Sequence, residues 1–169
     1  MTQGVTPHRV ISRIDEAIAV LEGLVAQYPD MPRVHAAAAD LYREAEDLPA
    51  AKDSYTTALS LYDTADPIKW FIHYARGITN HSLDDWPAAE ADFRAALALN
   101  PDQPQVLNYL GYSMVERGIN LDEALEMIET AGAAEPQNGA IVDSLGWVLF
   151  QLGEYDQAVG HLENAASLV

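Results

Sequence analysis

The feature that most constrains this chain is a spacing that recurs along it. The dipeptide Leu-Gly occurs at Leu110-Gly111 and again at Leu145-Gly146, 35 residues later. Gly77 lies 34 residues before Gly111. Self-similarity with a period of about 20 to 50 residues is the signature of repeat architectures, in which each unit buries its apolar face against its neighbours. The chain is therefore expected to fold as an array of similar units.

Small and large apolar residues keep fixed places after each of these glycines. An alanine follows 12 or 13 residues later, then a large apolar residue, then a second alanine seven residues after the first. In chain order these residues are Ala89, Phe93 and Ala96, then Ala124, Ile128 and Ala131, then Ala158, Leu162 and Ala165. Paired antiparallel helices need small residues where their backbones approach and large ones where a gap must be filled. Pro101 and Pro136 then end the second helix of a pair, because proline cannot continue a helix.

This order of residues resembles the tetratricopeptide repeat (TPR) consensus. The last copy matches it at Leu145, Gly146, Leu149, Gly153, Tyr155, Ala158, Leu162 and Ala165. The copy that starts near Trp70 departs from it, with Arg76 where leucine is usual. The resemblance implies an all-α fold, a right-handed α-α superhelix (a TPR solenoid) built from antiparallel helix pairs. A fold of this kind says little about function by itself.

We predict a single TPR domain over residues 1–169. It begins with the lone second helix of an incomplete repeat (1–31), continues with three repeats (32–69, 70–103 and 104–138) and ends with a truncated repeat (139–169). The first full repeat lacks the proline at its end and leads into a longer connection, SLYDTADP. Repeat arrays need capping units at their ends. The incomplete end units therefore predict a fragment of a longer TPR protein.

A narrower resemblance agrees with that prediction. The run from Leu107 to Val159 is similar to a group of longer proteobacterial TPR proteins, some of which are exported outer-membrane lipoproteins that act as adaptors for carboxyl-terminal processing proteases. This resemblance implies an envelope or periplasmic location and a tethered partner. The first 20 residues contain no apolar run of the signal-peptide type, which predicts a cytoplasmic location for the chain as written. The location stays open between these two alternatives.

Charge limits the classes of partner. The chain has 26 Asp and Glu against 9 Lys and Arg, which gives a formal net charge of -17. Such a surface repels nucleic acids and anionic lipids, both of which are bound through lysine and arginine. It favours a basic partner through long-range steering, although acidic residues also simply keep a protein soluble. No stretch approaches the roughly 18 apolar residues of a membrane span, so we expect no membrane insertion.

TPR arrays usually bind partners in a concave groove lined by the first helix of each repeat. The family's groove positions fall here on Ala36, Asp40 and Arg43, on Tyr74, Ile78 and His81, on Asn108, Tyr112 and Val115, and on Asp143, Trp147 and Phe150. The candidate partner-binding residues that we select from them are Tyr74, Ile78, Asn108, Tyr112, Asp143, Trp147 and Phe150. Family members that grip a C-terminal carboxylate use Lys, Asn and Arg at these positions, and the set in this chain is too acidic for that role.

The aromatic residues of the set instead suit an apolar or aromatic segment, bound as a helix or as an extended peptide. Tyr and Trp are also the residue types most enriched at binding hot spots. Two alternatives stand beside this interpretation. The same aromatics could pack against a neighbouring repeat, or further helices of a longer protein could fill the groove.

No pattern of catalytic or ligand-binding residues stands out. The sequence contains no nucleophile elbow, no glycine-rich phosphate loop and no cysteine. We expect the five histidines to be surface residues, and we expect no metal site, no cofactor and no enzymatic activity. Three functions remain. They are a protein-interaction module (an adaptor or scaffold), a self-assembly element that associates through uncapped ends, and a regulatory domain of a larger enzyme.

Overall fold

The computed structural model describes the backbone of residues 7–168 and the side chains of residues 13–168. This part of the chain contains nine α-helices and no strand, which confirms the predicted all-α class. In chain order they are α1 (Pro7–Gln27), α2 (Pro32–Glu44), α3 (Leu48–Leu61), α4 (Lys69–Ser82), α5 (Trp86–Leu99), α6 (Pro104–Arg117), α7 (Leu121–Ala134), α8 (Gly139–Leu152) and α9 (Tyr155–Ser167). The ends of the predicted domain, residues 1–6 and Val169, lie outside the described residues.

The helices form two compact units, unit 1 within Met1–Leu99 and unit 2 within Asn100–Val169. In unit 1, α2 pairs with α3 and α4 pairs with α5, while α1 packs on α2 and α3 packs on α4. In unit 2, α6 pairs with α7 and α8 pairs with α9, and α7 packs on α8. Each unit is thus a series of helix pairs in contact. The assignment of the whole chain to one domain, with the repeat bounds given above, stays a prediction.

Contacts at the glycine positions fix how closely paired helices approach. A Cβ atom added to Gly111 on α6 would lie 2.8 Å from Ile128 Cγ1 and 3.0 Å from the carbonyl oxygen of Ala124, both on α7. Equivalent contacts join Gly77 to Phe93 at 2.6 Å and Gly146 to Leu162 at 2.7 Å. Distances this short leave no room for any side chain. The recurring glycine is therefore a packing requirement of these three pairs, as the sequence predicts.

The alanines of the repeat pattern form the rest of these contacts. Those at the conserved spacing are fully buried or nearly so: Ala51, Ala58, Ala89, Ala96, Ala124, Ala131, Ala158 and Ala165. Phe93 and Ile128, the large residues between them, have no exposed surface. Burying apolar side chains of this size contributes about 1.5 to 3 kcal/mol each. The predicted alternation of small and large residues is thus the core of the protein.

The tight turn inside a helix pair uses a left-handed residue. Gly118 and Gly153 end α6 and α8 with φ of 64° and 84°, a conformation that glycine adopts without steric cost. Asp84 occupies the corresponding place after α4 with φ of 58°, which is uncommon for a residue with a side chain. The next residue, Asp85, accepts a hydrogen bond from the N–H of Ala88 at 3.4 Å and so caps the start of α5.

Arg76, the departure from the consensus, is explained by a buried carboxylate opposite it. Asp92 on α5 is only 4% exposed. Arg76 Nε donates to Asp92 Oδ2 at 2.8 Å, and Arg76 Nη2 donates to Asp92 Oδ1 at 2.7 Å. This bidentate arrangement is the strongest hydrogen-bonding geometry between arginine and a carboxylate. A salt bridge between α4 and α5 therefore replaces the usual leucine contact.

Two further side chains of α4 complete the network around Asp92. Asn80 Nδ2 donates to Asp92 Oδ2 at 3.0 Å, and His73 Nδ1 lies 2.9 Å from Asp92 Oδ1. The His73 side chain is only 18% exposed, so the expectation that all five histidines are surface residues is wrong for His73. The reason is that the buried charge of Asp92 needs more partners than one arginine supplies. His8 belongs to the residues whose side chains are not described.

We expect the free energy of unfolding to depend on Asp92 at acid pH. Burial alone would raise the pKa of Asp92, but its hydrogen bonds to His73 and Arg76 outweigh burial and hold the pKa below its ordinary value. The unfolded chain has the ordinary value of about 3.9. The stabilisation that ionised Asp92 provides is therefore fully present above the unfolded-state pKa of about 3.9. It is lost as the pH falls through the lower pKa that Asp92 has in the folded protein. Asp92→Asn should cost about 3 kcal/mol at pH 7 and reduce this acid loss, measured by urea unfolding between pH 7 and pH 3.

A matched control for that variant is Asp53→Asn on the exposed face of α3. It removes the same charge from unit 1 without touching the network. The interpretation fails if Asp92→Asn loses stability toward acid pH as steeply as the unaltered protein does.

We also expect Gly111→Ala to destabilise the protein by about 1 to 3 kcal/mol, because the new methyl group must push α7 away from α6. The control is Gly160→Ala in α9, where a Cβ would meet nothing within 4 Å. That change should be neutral or should stabilise α9 by up to about 1 kcal/mol through helix propensity. Thermal unfolding of both variants measures the difference. Equal effects of the two substitutions would contradict the packing role of Gly111.

Candidate partner-binding surfaces

Two of the predicted binding residues form an exposed aromatic pair on α8. Its opposite face turns inward, with Ile141, Val142, Val148 and Leu149 buried. The outward face carries Trp147, which is 37% exposed, and Phe150, which is 46% exposed. Their rings stack with centroids 5.5 Å apart and planes inclined by 13°. Tyr155, at the start of α9, meets Phe150 edge-on at 5.5 Å and extends this aromatic surface.

A cavity of about 450 Å³ lies beside the aromatic pair, between α6 and α8. Its lining residues are Tyr112, Val115, Glu116, Arg117, Gly118, Trp147 and Gln151. Tyr112 and Trp147 are thus brought together as the sequence predicts. Val115, another of the groove positions, also lines this cavity, although it is only 4% exposed.

The surroundings of Tyr112 are acidic. Burial raises the pKa of the Tyr112 hydroxyl, and the nearby carboxylates of Glu116 and Asp143 raise it further. Glu116 also lines this cavity, as does the basic side chain of Arg117. Asp143 also lines a second opening of about 400 Å³ with residues of α8 and α9. Asn108, on α6, is half-buried, and its Oδ1 atom has no hydrogen-bond partner among the described residues.

Tyr74 and Ile78 are placed differently. Both lie on α4 in unit 1 and are half-buried. The ring of Tyr74 packs on Phe93 with centroids 6.2 Å apart. Burial raises the pKa of its hydroxyl, and the nearby guanidinium of Arg43 lowers it by a smaller amount. Tyr74 thus packs in part on α5 of its own helix pair, whereas the alternative given above was packing against a neighbouring repeat.

The groove positions of α2 form a hydrogen-bonded set with α3. The hydroxyl of Tyr55 donates to Asp40 Oδ1 at 2.5 Å, and Arg43 Nε donates to the same hydroxyl at 3.3 Å. Burial raises the pKa of Tyr55; the bond to Asp40 raises it further, and the bond to Arg43 lowers it. The Tyr55 hydroxyl therefore stays protonated, and it fixes both side chains on the surface of α2.

Unit 1 contains a cavity of about 390 Å³ that was not predicted from the sequence. It lies between α2, the start of α4 and the connection that joins α3 to α4. Its lining residues are Arg33, Ala36, Ala37, Asp40, Tyr62, Asp66, Ile68, Phe71 and Ile72. Two signals pointed to it. Arg33 lies on the same face as Ala36 and Asp40, and the connection is longer than in the other repeats.

The described residues were also compared with the requirements of metal sites and of membrane-spanning helices. Within residues 13–168, no group of three His, Asp or Glu side chains is arranged to hold a metal ion. None of the described helices is both long enough and apolar enough to cross a bilayer.

Comparison with known proteins identifies the family. The tetratricopeptide repeat model matches residues 9–67 and 74–119. The TPR repeat-containing protein PA4667 of Pseudomonas aeruginosa is 28% identical over 154 residues, which are 90% of this chain and 25% of that protein. This chain therefore spans about a quarter of the length of that relative.

Solved structures share the fold. A crystal structure of MamA has a TM-score of 0.80 and 22% identity, covering 95% of this chain and 85% of that one. The crystal structure of YrrB, described as a TPR protein with an unusual peptide-binding site, has a TM-score of 0.75 and 18% identity, covering 94% of this chain and 79% of that one. The model match extends over more than half of the residues, and the chain belongs to the tetratricopeptide repeat family.

Proposed function

We propose that this chain is a protein-interaction module without enzymatic activity, and that unit 2 binds an apolar or aromatic segment of its partner. The observation that carries the proposal is the exposed stack of Trp147 on Phe150 beside the cavity that Tyr112 lines. Repeat proteins of this kind use extended surfaces to bind other proteins. The peptide-binding site for which YrrB is described lends support by analogy of fold.

The aromatic pair is suited to binding because its two side chains are already ordered before a partner binds. Ordering a flexible side chain at an interface costs about 0.5 to 1.5 kcal/mol. Trp147 and Phe150 hold each other in place before a partner arrives, so a partner that covers them gains apolar burial with little loss of entropy. Aromatic anchors next to a pocket are typical of binding hot spots. This arrangement favours a partner with its own large apolar side chain.

Charge favours a basic segment around that apolar anchor. Residues 100–169 contain eleven Asp and Glu, one arginine and no lysine. The carboxylates of Glu116 and Asp143 lie near the Tyr112 hydroxyl and raise its pKa. Complementary charge speeds encounter and selects partners more than it adds affinity. We therefore expect binding to the aromatic surface to weaken as the salt concentration rises, with the association rate most affected.

Substitution of the aromatic anchors tests the proposal. Peptides selected from a random library against the purified chain should be enriched in aromatic and basic residues. Trp147→Ala and Tyr112→Ala should each weaken the selected peptides by about tenfold or more, measured by fluorescence polarisation. The matched control is Tyr28→Ala, which removes an equally exposed aromatic from unit 1 and should leave affinity unchanged. Unaltered affinity of both unit 2 variants, with native helix content, would refute the proposed surface.

Self-association is a second candidate function, because Tyr155 and Val159 on α9 are largely exposed. An apolar face of this kind is a typical contact for a second copy. We expect sedimentation to show concentration-dependent dimers that Val159→Glu abolishes, since that change places a charge in the contact. A monomer at every concentration would exclude this function. The adaptor role and envelope location implied by the narrower resemblance stay predictions.

A further inference from the structure

We propose that the unit 1 cavity binds a lysine or arginine side chain of an extended peptide. The inference rests on the proposed role as a peptide-binding module, but it concerns a different unit, different residues and a different chemistry. The cavity of about 390 Å³ is large enough for one long side chain and the main chain that carries it.

The cavity is built by two helix faces and a connection. Arg33, Ala36, Ala37 and Asp40 follow one another on a single face of α2, and two alanines among them keep its floor open. Ile68, Phe71 and Ile72 form the opposite wall at the start of α4, again at helical spacing. The longer connection supplies Tyr62 and Asp66. The shape thus depends on the irregular connection, which the other repeats lack.

The carboxylates of Asp40 and Asp66 line the cavity, and each is held by a hydrogen bond within the protein. Asp66 Oδ1 accepts a hydrogen bond from the N–H of Ile68 at 3.0 Å, and Asp40 Oδ1 accepts one from the Tyr55 hydroxyl. The Oδ2 atoms of both aspartates have no hydrogen-bond partner within the described part of the chain. Each carboxylate is therefore fixed by one oxygen and can accept from a ligand with the other. A cationic donor is the group that pairs best with a carboxylate.

The apolar surface of the cavity fits the stem of such a side chain. Phe71 is 45% exposed and Ile68 is 43% exposed, although both are large apolar residues. Lysine and arginine lay their methylene stems on apolar surface while the charged end reaches polar groups. An arginine would also stack favourably on an aromatic ring such as Phe71. A short acidic or purely apolar side chain would leave one part of this cavity unsatisfied.

Arg33 makes the occupant a peptide rather than a bare cation. It has no ion-pair or hydrogen-bond partner among the described residues, and it lies one turn before Ala36 on the α2 wall. Arg33 is exposed and its guanidinium can only donate hydrogen bonds, so an oxygen of the ligand is the group that complements it. Main-chain carbonyl oxygens supply one beside any basic residue. The net charge of -17 further attracts basic segments to the protein.

The test uses a short capped and fluorescently labelled peptide with one arginine beside a leucine, and a second peptide in which citrulline replaces the arginine. Citrulline keeps the shape and removes the charge. We expect the arginine peptide to bind about tenfold more tightly and to shift the amide NMR signals of Ile68 and Phe71. The double variant Asp40→Asn with Asp66→Asn keeps both internal hydrogen-bond acceptors and should abolish the preference for arginine. Equal binding of the two peptides to the unaltered protein would overturn the inference.

Two controls separate this site from other effects. Asp122→Asn with Asp156→Asn removes the same charge from unit 2 and should leave the preference intact, whereas an equal loss would show that only general attraction is at work. Tyr28→Ala, which alters an exposed aromatic residue outside this cavity, should bind the arginine peptide unchanged, and Trp147→Ala reports any binding by unit 2. If the peptide requires Trp147 or shifts only unit 2 signals, the unit 1 site is refuted while the aromatic surface stands. Circular dichroism confirms that each variant remains helical.

Discussion

The structure depends on the close approach of helices within each pair. Gly77, Gly111 and Gly146 allow the backbone of one helix to lie directly against a large side chain of the next. Alanines at fixed spacing extend the same contact along the pair. A close pair has one rotational setting, because turning either helix would drive a side chain into the partner backbone. The side chains that face outward are therefore decided by the packing of the small ones.

This constraint explains why the candidate surfaces are on the first helix of a pair. In α8 the positions that face α9 and α7 are taken by small or aliphatic residues, which leaves Trp147 and Phe150 outside. Large aromatic residues left outside are costly unless something covers them. In α2 the same rule leaves Asp40 outside, where Tyr55 fixes its carboxylate. Packing thus positions two chemically distinct surfaces, one in each unit.

The fold was largely predictable from the sequence, and the sites only in part. Glycine and alanine spacing report backbone contact directly, so the helix pairs and their core follow from it. Arg76 was visible as a departure, but its partner Asp92 was not, because a pair 16 residues apart cannot be recognised from spacing alone. The unit 1 cavity escaped prediction because it depends on the path of an irregular connection.

The two surfaces have a common logic despite their different chemistry. Each places carboxylates beside apolar side chains: Glu116 and Asp143 near Tyr112, and Asp40 and Asp66 near Phe71. Apolar contact supplies affinity without much selectivity, whereas fixed charge selects against wrong partners more than it adds affinity. An acidic partner would leave these carboxylates facing like charge, and a purely polar one would leave the aromatic rings uncovered. We therefore propose that partner segments carry both basic and large apolar residues, and that the net charge of -17 helps to select them as well as keeping the protein in solution.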